Sequence, residues 1–157
     1  LDAGKGALAI YVVYLALRGG HVIFPHELPV ASLFAILGHC FPVWLGFKGG
    51  KGVATAVGAF AVIAPKAVLV SLICFVLIFA FTRYVSIASI GAAIAFPVAS
   101  FFFLYSELHS LPIMIAASAL IILKHHGNIR RLIAGTEPRF GKQAIGTNDP
   151  GETEKSI

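Results

Sequence analysis

The chain has 157 residues, 58% of them hydrophobic and only 12% charged, with a mean hydropathy of +0.89. An average soluble domain is about one quarter charged, so the composition leaves no room for a soluble enzyme domain and describes a polytopic membrane protein. The net charge of +5 is not spread evenly: Lys124, Arg130, Arg131, Arg139 and Lys142 cluster after the last apolar run, opposed there only by Glu137. That cluster is too short, and too poor in interleaved aromatics, to bind nucleic acid, and by the positive-inside tendency it is cytoplasmic.

The predicted fold class is all-α, a polytopic bundle with short or half-helices around a site on its cytoplasmic side. Leu1 to Leu17 reads as a transmembrane helix entered from the cytoplasm, although its apolar stretch, Ala7 to Leu17, is short for a span. With Leu1 in place of Met, this suggests that the beginning is missing. A signal peptide does not fit, because no small-residue cleavage site follows. Arg18 to Glu27 then forms a short outer loop. Leu28 to Phe47, a charge-free run of 20 residues interrupted by Gly38 and Pro42, returns the chain to the inner side.

There it delivers Lys48-Gly49-Gly50-Lys51-Gly52. Glycines let successive N–H groups converge on one oxyanion, and a lysine adds a point charge at the same spot. This is an anion-binding loop at a membrane surface, and a phosphorylated small molecule is its natural ligand. Lys51, flanked by three glycines, is assigned to the anion and Lys48 to the interface. A Walker A loop is excluded, since Gly50-Lys51 is followed by glycine and position 45 is Leu.

Val53 to Ala64 is a candidate half-helix whose N-terminus faces the anion. Ala67 to Thr82, Tyr84 to Ser106 and Leu108 to Leu123 are the remaining apolar runs, with an even number of crossings between Lys51 and Lys124. Cys40 and Cys74 lie inside apolar runs without metal-ligand spacing and read as inert thiols, so no metal site is predicted. The last segment, 143–157, is polar and aperiodic. The chain thus divides into a membrane-embedded domain, 1–139, and a disordered cytoplasmic tail, 140–157.

A second polar block runs from Lys124 to Glu137. On a helix, His125, Asn128 and Arg131 share one face and can donate several hydrogen bonds to one oxyanion, while Gly135 and Pro138 stop the helix. Glu137 is expected to pair with one of the arginines. His39 reads as a core histidine or helix-end cap, and Ser86 and Ser89 as either site lining or backbone-bonded residues.

At these two blocks the sequence resembles the bacterial acyl-phosphate:glycerol-3-phosphate acyltransferases, the PlsY family of integral membrane enzymes. The first match is Gly-His-x-x-Pro-Val with Phe-x-Gly-Gly-Lys-Gly-Val-Ala-Thr, from Gly38 to Thr55. The second is basic-His-x-x-Asn-Ile-x-Arg-Leu-x-x-Gly-x-Glu, from Lys124 to Glu137. Asp2 with Lys5-Gly6 resembles a third stretch. The resemblance spans residues 1 to about 139. It implies transfer of a fatty acyl group from acyl phosphate to the 1-hydroxyl of glycerol 3-phosphate, with no cofactor, in a monomer of the bacterial cytoplasmic membrane.

The resemblance further implies Lys51, His125 and Asn128 as catalytic residues. Gly49, Gly50, Gly52, Thr55, Ser89 and Arg131 would bind substrate. It also implies an N-terminally truncated copy, since the family carries an upstream motif rich in Ser, Gly and Asn that includes an Arg of the phosphate site. Residue chemistry agrees with the reaction. An acyl phosphate is an activated anhydride, so the protein need only orient the hydroxyl and stabilise developing charge. No His-x4-Asp dyad is present, and Ser71, Ser86 and Ser89 lack the neighbours of a nucleophile elbow. The alternative is a small transporter or channel whose glycine loop binds an anion in transit. It calls for an intramembrane polar stripe, of which the sequence offers only scattered serines.

Overall fold

The computed structural model describes residues 1–18, 27–103 and 109–141. Seven α-helices follow in order: α1 Asp2–Arg18, α2 Glu27–Cys40, α3 Val53–Ile63, α4 Pro65–Thr82, α5 Val85–Phe103, α6 Leu111–Lys124 and α7 His126–Ile133, and among the described residues there is no strand. The expected outer loop and the tail after 141 lie outside the described residues.

Local chemistry explains most boundaries. Pro42 cannot continue α2, and the chain turns there through a short 3-10 segment, Val43–Leu45, ending at left-handed Gly46. Gly38, expected to interrupt this run, lies within α2 with no atom near its missing Cβ. A lone glycine lowers helix stability without breaking the helix. Pro65 starts α4 at a first-turn position, where proline loses no hydrogen bond. Pro97 is carried inside α5.

Alpha-3 sits at the centre, against α1, α2 and α4, while α4 and α5 form a long hairpin and α6 packs on α5 and α2. The approach of α1 to α3 is unusually close. A Cβ on Gly58 would strike the Ala3 carbonyl, and one on Gly6 would strike the Thr55 carbonyl. The core gathers Ile36, Cys40, Phe60, Phe96, Met114 and Ile121, with the Phe60 and Phe96 rings 4.6 Å apart.

Among the described residues, three helical segments are long and apolar enough to cross a membrane: Glu27–Leu45, Pro65–Thr82 and Val85–Phe103. Alpha-4 leaves Leu69, Ile73, Val76 and Phe81 uncovered, an apolar face that water would penalise and lipid accepts. Alpha-3 has 11 residues, about 16 Å at 1.5 Å per residue, roughly half the thickness of a bilayer's hydrocarbon core. The chain nevertheless returns. Lys124 at the end of α6 bonds the Cys40 carbonyl at the end of α2, placing the two sequence blocks at one end of the bundle.

Candidate active site

The glycine loop is shaped by what glycine lacks. A Cβ at Gly49 would overlap the His39 carbonyl and the Pro42 ring, and one at Gly50 would overlap the His39 imidazole. Gly52 has φ +80°, the left-handed region that disfavours side chains, and packs over Ile36 and the Cys40 thiol. The Gly49 N–H is spent on Cys40 O at 3.3 Å. Gly49 therefore serves by its small size, a correction to its expected place among the ligand donors.

Among the described residues no protein acceptor meets the amides of Gly50, Lys51 and Gly52, nor those of Val53, Ala54 and Thr55 in the first turn of α3. Six donors without a protein acceptor at the positive end of a helix are an arrangement that suits an anion. The exposed Lys51 adds its charge, which also bears on the His125 imidazole.

His125 is not part of one helix with Asn128 and Arg131, as expected. It is the joint between α6 and α7, with φ −91° and ψ 6°. The kink buries His125, 2% exposed, and brings Asn128 in behind it, 6% exposed. Its Nδ1 lies 2.8 Å from Ile121 O. A carbonyl only accepts, so Nδ1 carries the proton and Nε2 is left with a lone pair. Burial lowers the His125 pKa, opposed by the bond to Ile121, while Lys51 lowers it further and Glu137 works against that. A neutral imidazole near pH 7 is the result.

Alpha-7 ends at Gly135, φ +70°, with Gly135 N–H bonded to Leu132 O and Thr136 N–H to Arg131 O at 2.8 Å. This double bond pattern is a Schellman turn. It folds Glu137 back along the helix. The Glu137 carboxylate accepts Asn128 Nδ2 and Arg131 Nε, each at 2.7 Å, with its side chain 6% exposed. Burial alone would raise the Glu137 pKa, but hydrogen bonds from Asn128 and Arg131 and the arginine charge carry it below its ordinary value. Ser86 also faces this carboxylate and helps hold it ionised without reaching full hydrogen-bond geometry. Arg131 is thus engaged with Glu137, which was expected to pair with one of the arginines.

The segment after Glu137 is held to the α4–α5 corner. Phe140, which the sequence assigned to the tail, donates its N–H to Arg83 O at 2.9 Å and sets its ring against Phe79. Arg139 lies over the Tyr84 ring.

Two cavities flank the loop. One, of about 400 Å³, opens between α1, α2 and the loop, lined by Asp2, Lys5, His39, Gly49, Gly50 and Thr55. The Thr55 hydroxyl is buried without a partner among the described residues. The other, about 50 Å³ and apolar, lies between α3, α4, α5 and α6, bordered by Val53, Phe60, Ser71, Ser89, Phe96 and Ser118. Ser89 therefore sits one turn deeper than Ser86, on the apolar cavity and away from Thr55. The loop, Lys51, His125 and Asn128 come together, and Thr55 and Ser89 fall on opposite sides of them. Sequence reasoning gave His39, Ser86 and Lys124 only background roles. His39 and Ser86 touch the site's own residues, and their closeness in sequence to Pro42 and Ser89 was the available signal.

Residues 1–135 match the model of the family described as glycerol-3-phosphate acyltransferase. A relative of that name from Trichlorobacter lovleyi is 48% identical over 142 residues, covering 88% of this chain and 69% of its own length. Among solved structures, the chain is similar to PlsY (YgiH), an integral membrane glycerol 3-phosphate acyltransferase, in its glycerol 3-phosphate form. The TM-score is 0.74 at 38% identity, over 89% of this chain and 68% of that one. The lysophosphatidic acid form of the same protein matches equally, with TM-score 0.74.

Proposed function

Because this chain belongs to the glycerol-3-phosphate acyltransferase family, we propose that it transfers a fatty acyl group from acyl phosphate to the 1-hydroxyl of glycerol 3-phosphate. The products are lysophosphatidate and inorganic phosphate. The observation that carries this reading is the set of free amides from Gly50 to Thr55 beside Lys51 and the buried His125. Both substrates bear phosphate, and their mutual repulsion is what the site must overcome. Converging amides and a lysine can hold the two phosphates side by side.

In the proposed step the glycerol hydroxyl oxygen attacks the acyl carbonyl carbon. The carbon–oxygen bond to phosphate breaks, and the hydroxyl proton leaves with the phosphate. His125, neutral and fixed through Nδ1, accepts a hydrogen bond from the hydroxyl at Nε2 and orients it. Asn128, held by Glu137, keeps its carbonyl and one N–H for substrate. Gly50, Lys51 and Gly52 carry the phosphate charge. Gly49 shapes the loop, Arg131 secures Asn128 through Glu137, and Thr55 and Ser89 border the polar and apolar sides. The acyl chain lies among the apolar helices.

In this reading the chain is a multi-pass protein of the bacterial cytoplasmic membrane, working as a monomer with its C-terminus in the cytoplasm, and its apolar helices and integral membrane relatives support the membrane placement. Exposed Trp44 and Phe47 beside the loop suit the headgroup level, where aromatic side chains collect. Residues 1–139 form the membrane-embedded domain in this reading.

The test is glycerol 3-phosphate-dependent phosphate release from palmitoyl phosphate by membranes carrying the chain, as it stands and preceded by the upstream motif that the resemblance calls for. Lys51→Ala should abolish the release, and a palmitoyl thioester should not replace the acyl phosphate. Activity unaffected by Lys51→Ala, or none in either form, would overturn the assignment and favour anion transport.

A further inference from the structure

Lys124 is a motif residue that the proposed chemistry does not use. Its Nζ donates to Cys40 O at 3.0 Å, across 84 positions of sequence, and lies 4.5 Å from the Phe41 ring centroid. The same carbonyl accepts the Gly49 N–H. A lysine serving only the membrane interface would extend its ammonium to water. This one is turned onto the end of another helix.

The electrostatics explain why. Alpha-2 delivers its C-terminus to the anion site, and the last carbonyls of a helix are its negative end. Left bare, they would repel a phosphate. An ammonium on the Cys40 carbonyl cancels that charge and pins the oxygen in place, and the second lone pair of the same oxygen takes the Gly49 N–H. Phe41 holds the ammonium from its ring face.

We propose that Lys124 is a positioning residue for the anion site: through the Cys40 carbonyl it neutralises the end of α2 and fixes the first residue of the glycine loop. Lys124 touches no reacting atom. It acts by keeping the amides of Gly50, Lys51 and Gly52 turned to one point. The role rests on the acyltransferase reading above for its kinetic consequence, but its structural half stands apart from turnover.

The experiment compares wild type, Lys124→Met and Lys124→Arg in detergent micelles by steady-state kinetics and by amide hydrogen exchange with and without inorganic phosphate. Lys124→Met should raise KM for glycerol 3-phosphate about tenfold with kcat within about threefold, and Lys124→Arg should return KM to within about threefold of wild type. Gly49 exchange should quicken about tenfold in Lys124→Met and not in Lys124→Arg. Phosphate should slow exchange at residues 50–52 in wild type and Lys124→Arg alone. Should Lys124→Met unfold, Lys124→Gln, which keeps a neutral donor, is expected to give intermediate values. A wild-type KM together with unchanged Gly49 exchange in the neutral variants, or no recovery in Lys124→Arg, overturns the proposal. If wild type shows no turnover, as it stands or preceded by the upstream motif, the acyltransferase reading fails, and the exchange of Gly49 still decides the role of Lys124.

Discussion

Asn128 donates its side-chain amide to Glu137 at 2.7 Å, and the other oxygen of the same carboxylate takes Arg131 at 2.7 Å. Glu137 thus settles which way Asn128 faces and ties the start of α7 to the residues beyond its end. Glu137→Gln keeps the shape but removes the charge, and its amide nitrogen must then oppose either the Asn128 donor or the arginine. A hydrogen bond to a charged group is worth about 1.5–3 kcal/mol. We expect the substitution to cost about 2 kcal/mol of stability and, by freeing Asn128, at least about tenfold in activity. Wild-type melting behaviour and turnover in Glu137→Gln would refute this.

The two leading glycines of the loop should respond differently to alanine. A Cβ on Gly49 meets backbone and a proline ring, neither of which can move aside, whereas a Cβ on Gly50 meets the tip of the His39 side chain. Gly49→Ala should therefore reduce activity by more than about a hundredfold, and Gly50→Ala by about tenfold. Coupling between contacting residues is measured by a double-mutant cycle. Adding His39→Ala to Gly50→Ala should recover activity, while adding it to Gly49→Ala should not.

What was legible in the sequence was local. Pro42, Pro65 and Gly135 act on their own backbone, so the breaks they cause could be read without a fold, and the apolar runs located the helices around them. Gly38 misled because helix tolerance of one glycine depends on packing that sequence does not display. His125 misled for a related reason. Its i, i+3 spacing with Asn128 fits a continuous helix, but the backbone breaks at His125, where α6 ends beside the C-terminus of α2. Glu137 could be paired with an arginine by charge alone. That it also holds Asn128 depends on the Schellman turn, and Lys124 on Cys40 depends on a contact between distant helices. The Gly49 amide illustrates the limit most directly, because spacing cannot tell a donor aimed at ligand from one consumed by the helix before it.

The closeness of α1 to α3 predicts a sharp contrast among helical glycines. Gly6→Ala and Gly58→Ala each place a methyl against a carbonyl of the facing helix, and neither backbone can yield without separating the two helices. Overpacking of this kind costs about 1–3 kcal/mol. Gly4 and Gly38 have nothing near their missing Cβ, so alanine there should be neutral or stabilising by up to about 1 kcal/mol, the helix preference of Ala over Gly. Thermal melts of the four variants decide the matter, and equal effects at all four would contradict the close approach.

Acid should weaken the site in two stages. His125 has its pKa lowered, chiefly by burial, from an ordinary value of 6.5. As pH falls below that value the unfolded chain takes up the proton first, so the stability present above it is lost as pH drops toward the folded pKa. Glu137 likewise has a folded pKa below its ordinary 4.5. Its contribution is full above 4.5 and disappears as pH falls through the lower folded value, when a protonated carboxyl can no longer hold Arg131 by charge. Activity should remain level through neutral pH, because His125 is already neutral there, and fall only below the ordinary histidine range. Subtracting the stability profile of His125→Gln from wild type should isolate the upper stage, and that of Glu137→Gln the lower. An upper stage that persists unchanged in His125→Gln would assign it to another histidine and remove the basis for a neutral, hydroxyl-orienting His125.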